Sequence, residues 1–187
     1  VHALEALVSN AGSDLTDLHA REAIRRLHTY LPQAIAQPQD IAIRQQVMFG
    51  SLSAGLAFSN ASLGAVHAMA HSIGGMFDLP HGECNSLLVD HVMRFNWSHA
   101  GDRYGELAAI FGLQLKGLPS REACESLVDA LARFKNQIGI TCTLKDRGIR
   151  ERDIPHLARM AINDPCMATN PVPPTISDIE TLYAQAL

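Results

Sequence analysis

The chain has 187 residues, of which 47 % are hydrophobic and 18 % charged, and a net charge of −4. That balance is too apolar for a disordered segment and suits one domain able to bury a substantial core. The basic residues are scattered, so nothing resembles a nucleic-acid footprint, and every apolar run is too short and too interrupted for a membrane span.

Helical periodicity dominates from the first residue. Residues 2–9 (HALEALVS) read as the end of a helix closed by Asn10-Ala11-Gly12. Ser13 or Asp14 can cap a second helix, whose Leu15, Leu18, Ala23, Ile24 and Leu27 keep the 3–4 spacing until Pro32. Pro38-Gln39-Asp40 opens a long helix through about Phe58, with Ile41, Ile43, Val47, Met48, Leu52 and Leu56 as its apolar set. Gly50, Ser51, Ser53, Ala54 and Gly55 thin its flank, which predicts close approach to another backbone. A helix carrying His67 and His71 follows, then a Gly-Gly-containing bend, then a helix from about Glu83 to Trp97. Further helices are predicted over 101–112, 120–138, 151–163 and 176–186. Only Ile138–Thr143 has strand-like β-branching, and it is too short to count. The predicted class is an all-α, compact multi-helix bundle.

The chain opens Val1-His2-Ala3-Leu4-Glu5, with no initiator Met and no capping residue ahead of its helical pattern. The expectation is a piece of a longer polypeptide. No secretory signal pattern is visible. Cys84, Cys124, Cys142 and Cys166 lie far apart and form no CxxC pair, so reduced thiols packed in a cytoplasmic domain are expected.

Four of the nine histidines fall between Gly55 and Asn96, in GLAFSNASLGAVHAMAHSIGGMFDLPHGECNSLLVDHVMRFN. His67 and His71 are four apart and share a helix face. His81 follows an Asp-Leu-Pro-His-Gly turn able to bring a third imidazole back toward them. Small neighbours (Ala65, Ala68, Ala70, Gly74, Gly75, Gly82) leave room for a ligand. Converging neutral imidazoles can hold a borderline divalent metal. Spacing alone leaves metal binding and plain histidine packing both open. His19, His28, His91, His99 and His156 stand isolated and read as surface or core residues.

Those residues carry a resemblance. The histidine-rich string is similar to the signature region of the iron-containing (group III) alcohol dehydrogenases, approximately AGxAFxNxxLGxxHAMAHxxGxxxxxPHGxxNAxLLPHVxxFN. HALEALVS resembles that family's DAxxHAxEAYVS segment, and ERDIPHLARMAINDPCMATNP resembles its EEDIxxLAxxAxxDxxxxTNPR. The likeness covers essentially all of the chain and corresponds to the family's C-terminal helical domain. It implies metal ligation by His2, His67 and His81, with a fourth ligand, an Asp, four residues ahead of His2 and so outside this sequence. It further implies that His71 sits near the nicotinamide and the reacting alcohol, and that Phe58 lines the substrate pocket. The arginine ending the family's TNPR is Val172 here.

The implied protein is an NAD(P)-dependent alcohol dehydrogenase. It would interconvert a small primary alcohol and its aldehyde with Fe²⁺ or Zn²⁺ as Lewis acid, as a homo-oligomer in the full-length enzyme. The family's N-terminal α/β nucleotide domain, with its GGGSxxD-type phosphate loop, has no counterpart in these residues, which offer no dinucleotide fingerprint. NAD(P) is therefore expected to be held mainly elsewhere, and this segment alone to be inactive. Within the family, zinc-dependent glycerol dehydrogenases and metal-free maleylacetate reductases are the near alternatives, and retention of the three histidines disfavours the latter. Outside it, a helical metal-dependent phosphohydrolase would want an adjacent His-Asp pair, and no HD dipeptide occurs. A non-catalytic helical module would show no convergence of His67 and His81.

Overall fold

A computed structural model describes residues 1–187. Eight α-helices and three 3₁₀ segments make up its regular structure, and no strand is present. The helices are α1 (His2–Val8), α2 (Asp14–Ala36), α3 (Ile41–Ala61), α4 (Ala65–Phe77), α5 (His81–Gly105), α6 (Ser120–Gln137), α7 (Ile154–Ala161) and α8 (Ile176–Ala186). The all-α class is as the periodicity predicts.

α1 is the hub. It is short, yet Ala3 through Val8 are all buried, because α2, α3 and α5 pack around it. α4 lies against α5 and α7, α5 carries α6 and α8, and α7 and α8 close the far side. One contiguous core of 41 buried residues joins these elements. Three of the eight helices open on local side-chain hydrogen bonds. Ser13 and Thr175 form capping boxes with Thr16 and Asp178, and Asp40 caps α3 through the Ile43 N–H.

The α2–α3 hairpin departs from the sequence reading in an instructive way. Leu15, Leu18, Ile41, Met48, Leu52 and Leu56 face outward, while α3 buries only Gly50, Ala54, Ala57 and Ala61. Here the large apolar residues are not the core-facing set: the small ones are, because the helices pack too closely for anything bigger. A Cβ on Gly50 would come within 2.9 Å of Leu27 Cγ.

Four boundaries also differ. α2 runs through Pro32 to Ala36, the proline being accommodated inside the helix. The two helices expected at 83–97 and 101–112 are one, α5, which passes without a break to Gly105 and gives way to turns. Gly74 and Gly75 make no bend, since α4 passes through both. It ends at Asp78, whose left-handed backbone (φ 54, ψ 40) turns the chain into Leu79-Pro80 and the start of α5. The 151–163 segment is a 3₁₀ turn followed by the shorter α7.

Two buried polar groups tie the bundle. Asp17, on α2, accepts from Arg103 Nη1 on α5 at 2.8 Å and 2.9 Å, and the same nitrogen donates to the Leu7 carbonyl of α1. Tyr183, fully buried on α8, donates its hydroxyl to the Met69 carbonyl of α4 at 2.8 Å.

Candidate metal centre

The site begins with a helix that cannot cap itself. α4 follows a connector, Ser62-Leu63-Gly64, whose N-cap residue Gly64 has no side chain to offer the first N–H groups. Buried backbone polar groups demand partners, and residues distant in sequence supply them. Glu5 Oε1 accepts from Val66 N at 2.7 Å, and Asn170 Oδ1 accepts from Ala65 N at 3.0 Å. On the carbonyl side, Ser9 Oγ donates to Ala61 O at 2.5 Å and Thr169 Oγ1 to Leu63 O at 2.6 Å. Asn170 is itself clamped by a reciprocal amide pair with Asn96, at 2.8 and 3.0 Å. Gly64 is required by proximity: a Cβ there would sit 2.8 Å from both Glu5 Oε1 and Asn170 Oδ1.

Glu5 does a second thing. Its Oε2 lies 2.5 Å from His67 Nδ1 and accepts from His67 N at 3.3 Å. An ionised carboxylate only accepts, so the ring proton belongs on Nδ1 and the lone pair on Nε2. His67 is fully buried, and Nε2 has no hydrogen-bond partner.

His2, at the start of α1, and His81, at the start of α5, bring their rings to 4.3 Å and 5.2 Å from that of His67. One ligand atom from each of the three lies within 4.8 Å of the others. Burial, followed by repulsion from the other imidazoles, pushes the pKa of His2 down to about 3, and the same causes lower that of His81. Both rings are therefore neutral near pH 7, the state in which imidazole binds metal. A buried nitrogen without a partner, two neutral imidazoles facing it, and a carboxylate behind the first ring form a donor set that fits a borderline divalent cation.

His71, one turn beyond His67 on α4, is exposed and stacks on His81 at 5.3 Å between centroids. Its Nδ1 is 2.9 Å from Asp164 Oδ2. Burial alone would raise the pKa of Asp164, but hydrogen bonds from Cys166 and His71 outweigh it and hold the carboxyl below its usual value. Phe58, on the last turns of α3, lies 4.5 Å from the His2 ring. Behind His2 and Gly82 opens an apolar cavity of about 410 Å³, lined among others by Ile24, Leu27, Phe111 and Leu131. The cavity touches the histidine cluster only at its edge.

All five residues singled out in the sequence thus come together at one corner of the fold. Sequence reasoning passed over Glu5, Asn170 and Asp164. Glu5 had a signal, being the one charged residue in an otherwise apolar stretch from Ala3 to Val8. The cysteines are all free, as expected. His28, set aside as isolated, packs between Phe111 and Phe134.

An all-helical domain that gathers three imidazoles before a buried carboxylate belongs, by its donor set, with candidate metal-binding domains. Comparison narrows this further. The profile of the Fe-containing alcohol dehydrogenase family, C-terminal, matches residues 1–187, and the chain belongs to the iron-containing alcohol dehydrogenase family. It is 38 % identical over 185 residues to 1,3-propanediol dehydrogenase of Klebsiella pneumoniae, covering 99 % of this chain and 48 % of that protein. Its identity to NAD-dependent methanol dehydrogenase of Bacillus methanolicus is 36 %, covering 100 % and 49 %. The fold matches alcohol dehydrogenase from Oenococcus oeni with a TM-score of 0.95 at 34 % identity, over 100 % of this chain and 49 % of that one. The chain spans about half the length of the relatives it matches.

Proposed function

We propose that residues 1–187 form the metal- and substrate-binding domain of an NAD(P)-dependent alcohol dehydrogenase acting on a small primary alcohol or its aldehyde. The observation that carries this reading is the partnerless, buried Nε2 of His67 facing the rings of His2 and His81. In this reading His2, His67 and His81 are the ligands given by these residues to Fe²⁺ or Zn²⁺, and a carboxylate outside them completes the set. NAD(P) is held mainly by an α/β domain beyond these residues, in a cytoplasmic homo-oligomer. The activities named for the relatives support an alcohol or aldehyde substrate.

When bound, the divalent ion supplies Lewis acidity at the substrate oxygen and NAD(P)⁺ supplies the hydride acceptor. The protein's own part is positional and protonic. Glu5 fixes the tautomer of His67, and the neutrality of His2 and His81 leaves their lone pairs free. Phe58 packs against the His2 ring, where it would flank the substrate. His71 receives the hydroxyl proton at Nε2 and, being open to solvent, releases it to water. Asp164 holds the opposite ring nitrogen while this happens.

The test uses the full-length protein: metal content by elemental analysis beside alcohol-dependent NADH formation. His67→Ala and His81→Ala are expected to lose metal and activity together. His71→Ala is expected to keep its metal and lose about 10²–10⁴-fold in rate, the usual cost of a missing proton-transfer group. Metal loss in His71→Ala would show ligand and relay to be exchanged, and full activity in His81→Ala would overturn the Lewis-acid reading.

A further inference from the structure

We infer that Glu5 is a positioning residue that sets the metal affinity of the site through the His67 ring, a role separable from its role at the start of α4. The inference rests on the metal-site reading above. Four observations carry it. Glu5 is 5 % exposed, and no cation neutralises it: its partners are the Val66 and His67 N–H groups and the His67 ring. Its Oε2 meets His67 at Nδ1, the nitrogen remote from the orphaned Nε2. The backbone around it is shaped for the carboxylate, since only a glycine at 64 leaves room for Oε1. Asn170 caps the same helix end through Ala65 N without touching the ring.

Chemically, a carboxylate on Nδ1–H does two things to an imidazole ligand. It excludes the tautomer whose proton would block Nε2, and it makes Nε2 a stronger donor by drawing on the Nδ1–H bond. A buried negative charge behind the ring also favours a cation in front of it. A glutamine of the same shape cannot substitute. Its single oxygen can accept from Val66 N or from the ring but not both, and its NH₂ would then confront an N–H group.

The experiment measures the Zn²⁺ dissociation constant of the full-length protein by competition with a chromophoric chelator, with melting temperature in parallel. The variants are Glu5→Gln and Asn170→Ala. Glu5→Gln is expected to weaken Zn²⁺ binding about 10–100-fold, the range for lost partners behind a metal ligand. Asn170→Ala is expected to lower the melting temperature and leave the dissociation constant unchanged. Equal weakening in the two variants would overturn the inference, because the helix end and not the ring would then control affinity. An unchanged constant in Glu5→Gln would overturn it as well while sparing the metal-site reading. Wild-type protein that binds no Zn²⁺ more tightly than His67→Ala would overturn that reading itself.

Discussion

Two histidines one turn apart on α4 make the same bond in opposite surroundings. His67 gives Nδ1 to Glu5 at 2.5 Å with the ring fully buried, and His71 gives Nδ1 to Asp164 at 2.9 Å with its side chain 42 % exposed. The inner pair is walled by α1, the α3–α4 connector and Asn170, and each atom of the Glu5 carboxylate is committed. The outer pair is anchored by a 3₁₀ turn, Pro165–Thr169, and looks onto water. A carboxylate–imidazole pair buried in this way fixes a ring, whereas one at the rim leaves the ring able to exchange a proton with solvent. In the proposed mechanism burial, and not the identity of the pair, divides holding from relaying.

That contrast breaks most plainly if the inner ring is removed. His67→Ala should abolish metal binding and activity outright, and residual turnover with bound metal would erase the distinction. Removing the outer ring should cost about 10²–10⁴-fold in rate at full metal content. Asp164→Asn should cost less, about tenfold, because the ring stays in place and only its anchor weakens; steady-state kcat at unchanged metal content measures it. The inner wall can be tested through packing alone. Gly64→Ala should destabilise the fold by about 1–3 kcal/mol, the cost of overpacking, and thermal or urea unfolding would show it. Smallest in magnitude and opposite in sign is Ser62→Gly. Ser62 sits at φ 61, ψ −163, a region nearly reserved for glycine. Relief of that strain should outweigh glycine's extra chain entropy by about 1 kcal/mol. A fall in melting temperature would show the connector to be held by its side chain instead.

The legibility of the sequence follows the range of the interactions. Helices declared by caps, such as α2 at Ser13 and α3 at Asp40, were readable because the cap and its N–H lie three residues apart. The start of α4 was not readable in that way, since its caps come from residues 5 and 170. Periodicity misjudged the α2–α3 hairpin because a row of Leu and Met and a row of Gly and Ala both repeat at helical spacing, and only the packing distance decides which faces inward. The break expected near residue 100 failed for want of a stop signal: Gly101 packs its backbone against the Trp97 ring and α5 continues. The three histidines were legible as a cluster, and resemblance joined His2 to them. Their supporting carboxylates were not, because Glu5 and Asp164 touch rings 62 and 93 residues away along the chain.

The placement of His67 and His81 in the opening turns of their helices carries an electrostatic consequence. α4 and α5 both bring their N-terminal turns to the histidine cluster, and each end carries roughly half a positive charge from its aligned peptide dipoles. The field there is adverse to a bare cation and welcoming to an anion. Glu5, laid across the first N–H groups of α4, cancels part of that field where a cation would sit. The remainder favours negative charge on an oxygen brought to that point. In the proposed reaction the same helix ends would bias the site toward the negative charge that gathers on an alcohol oxygen as it loses its proton.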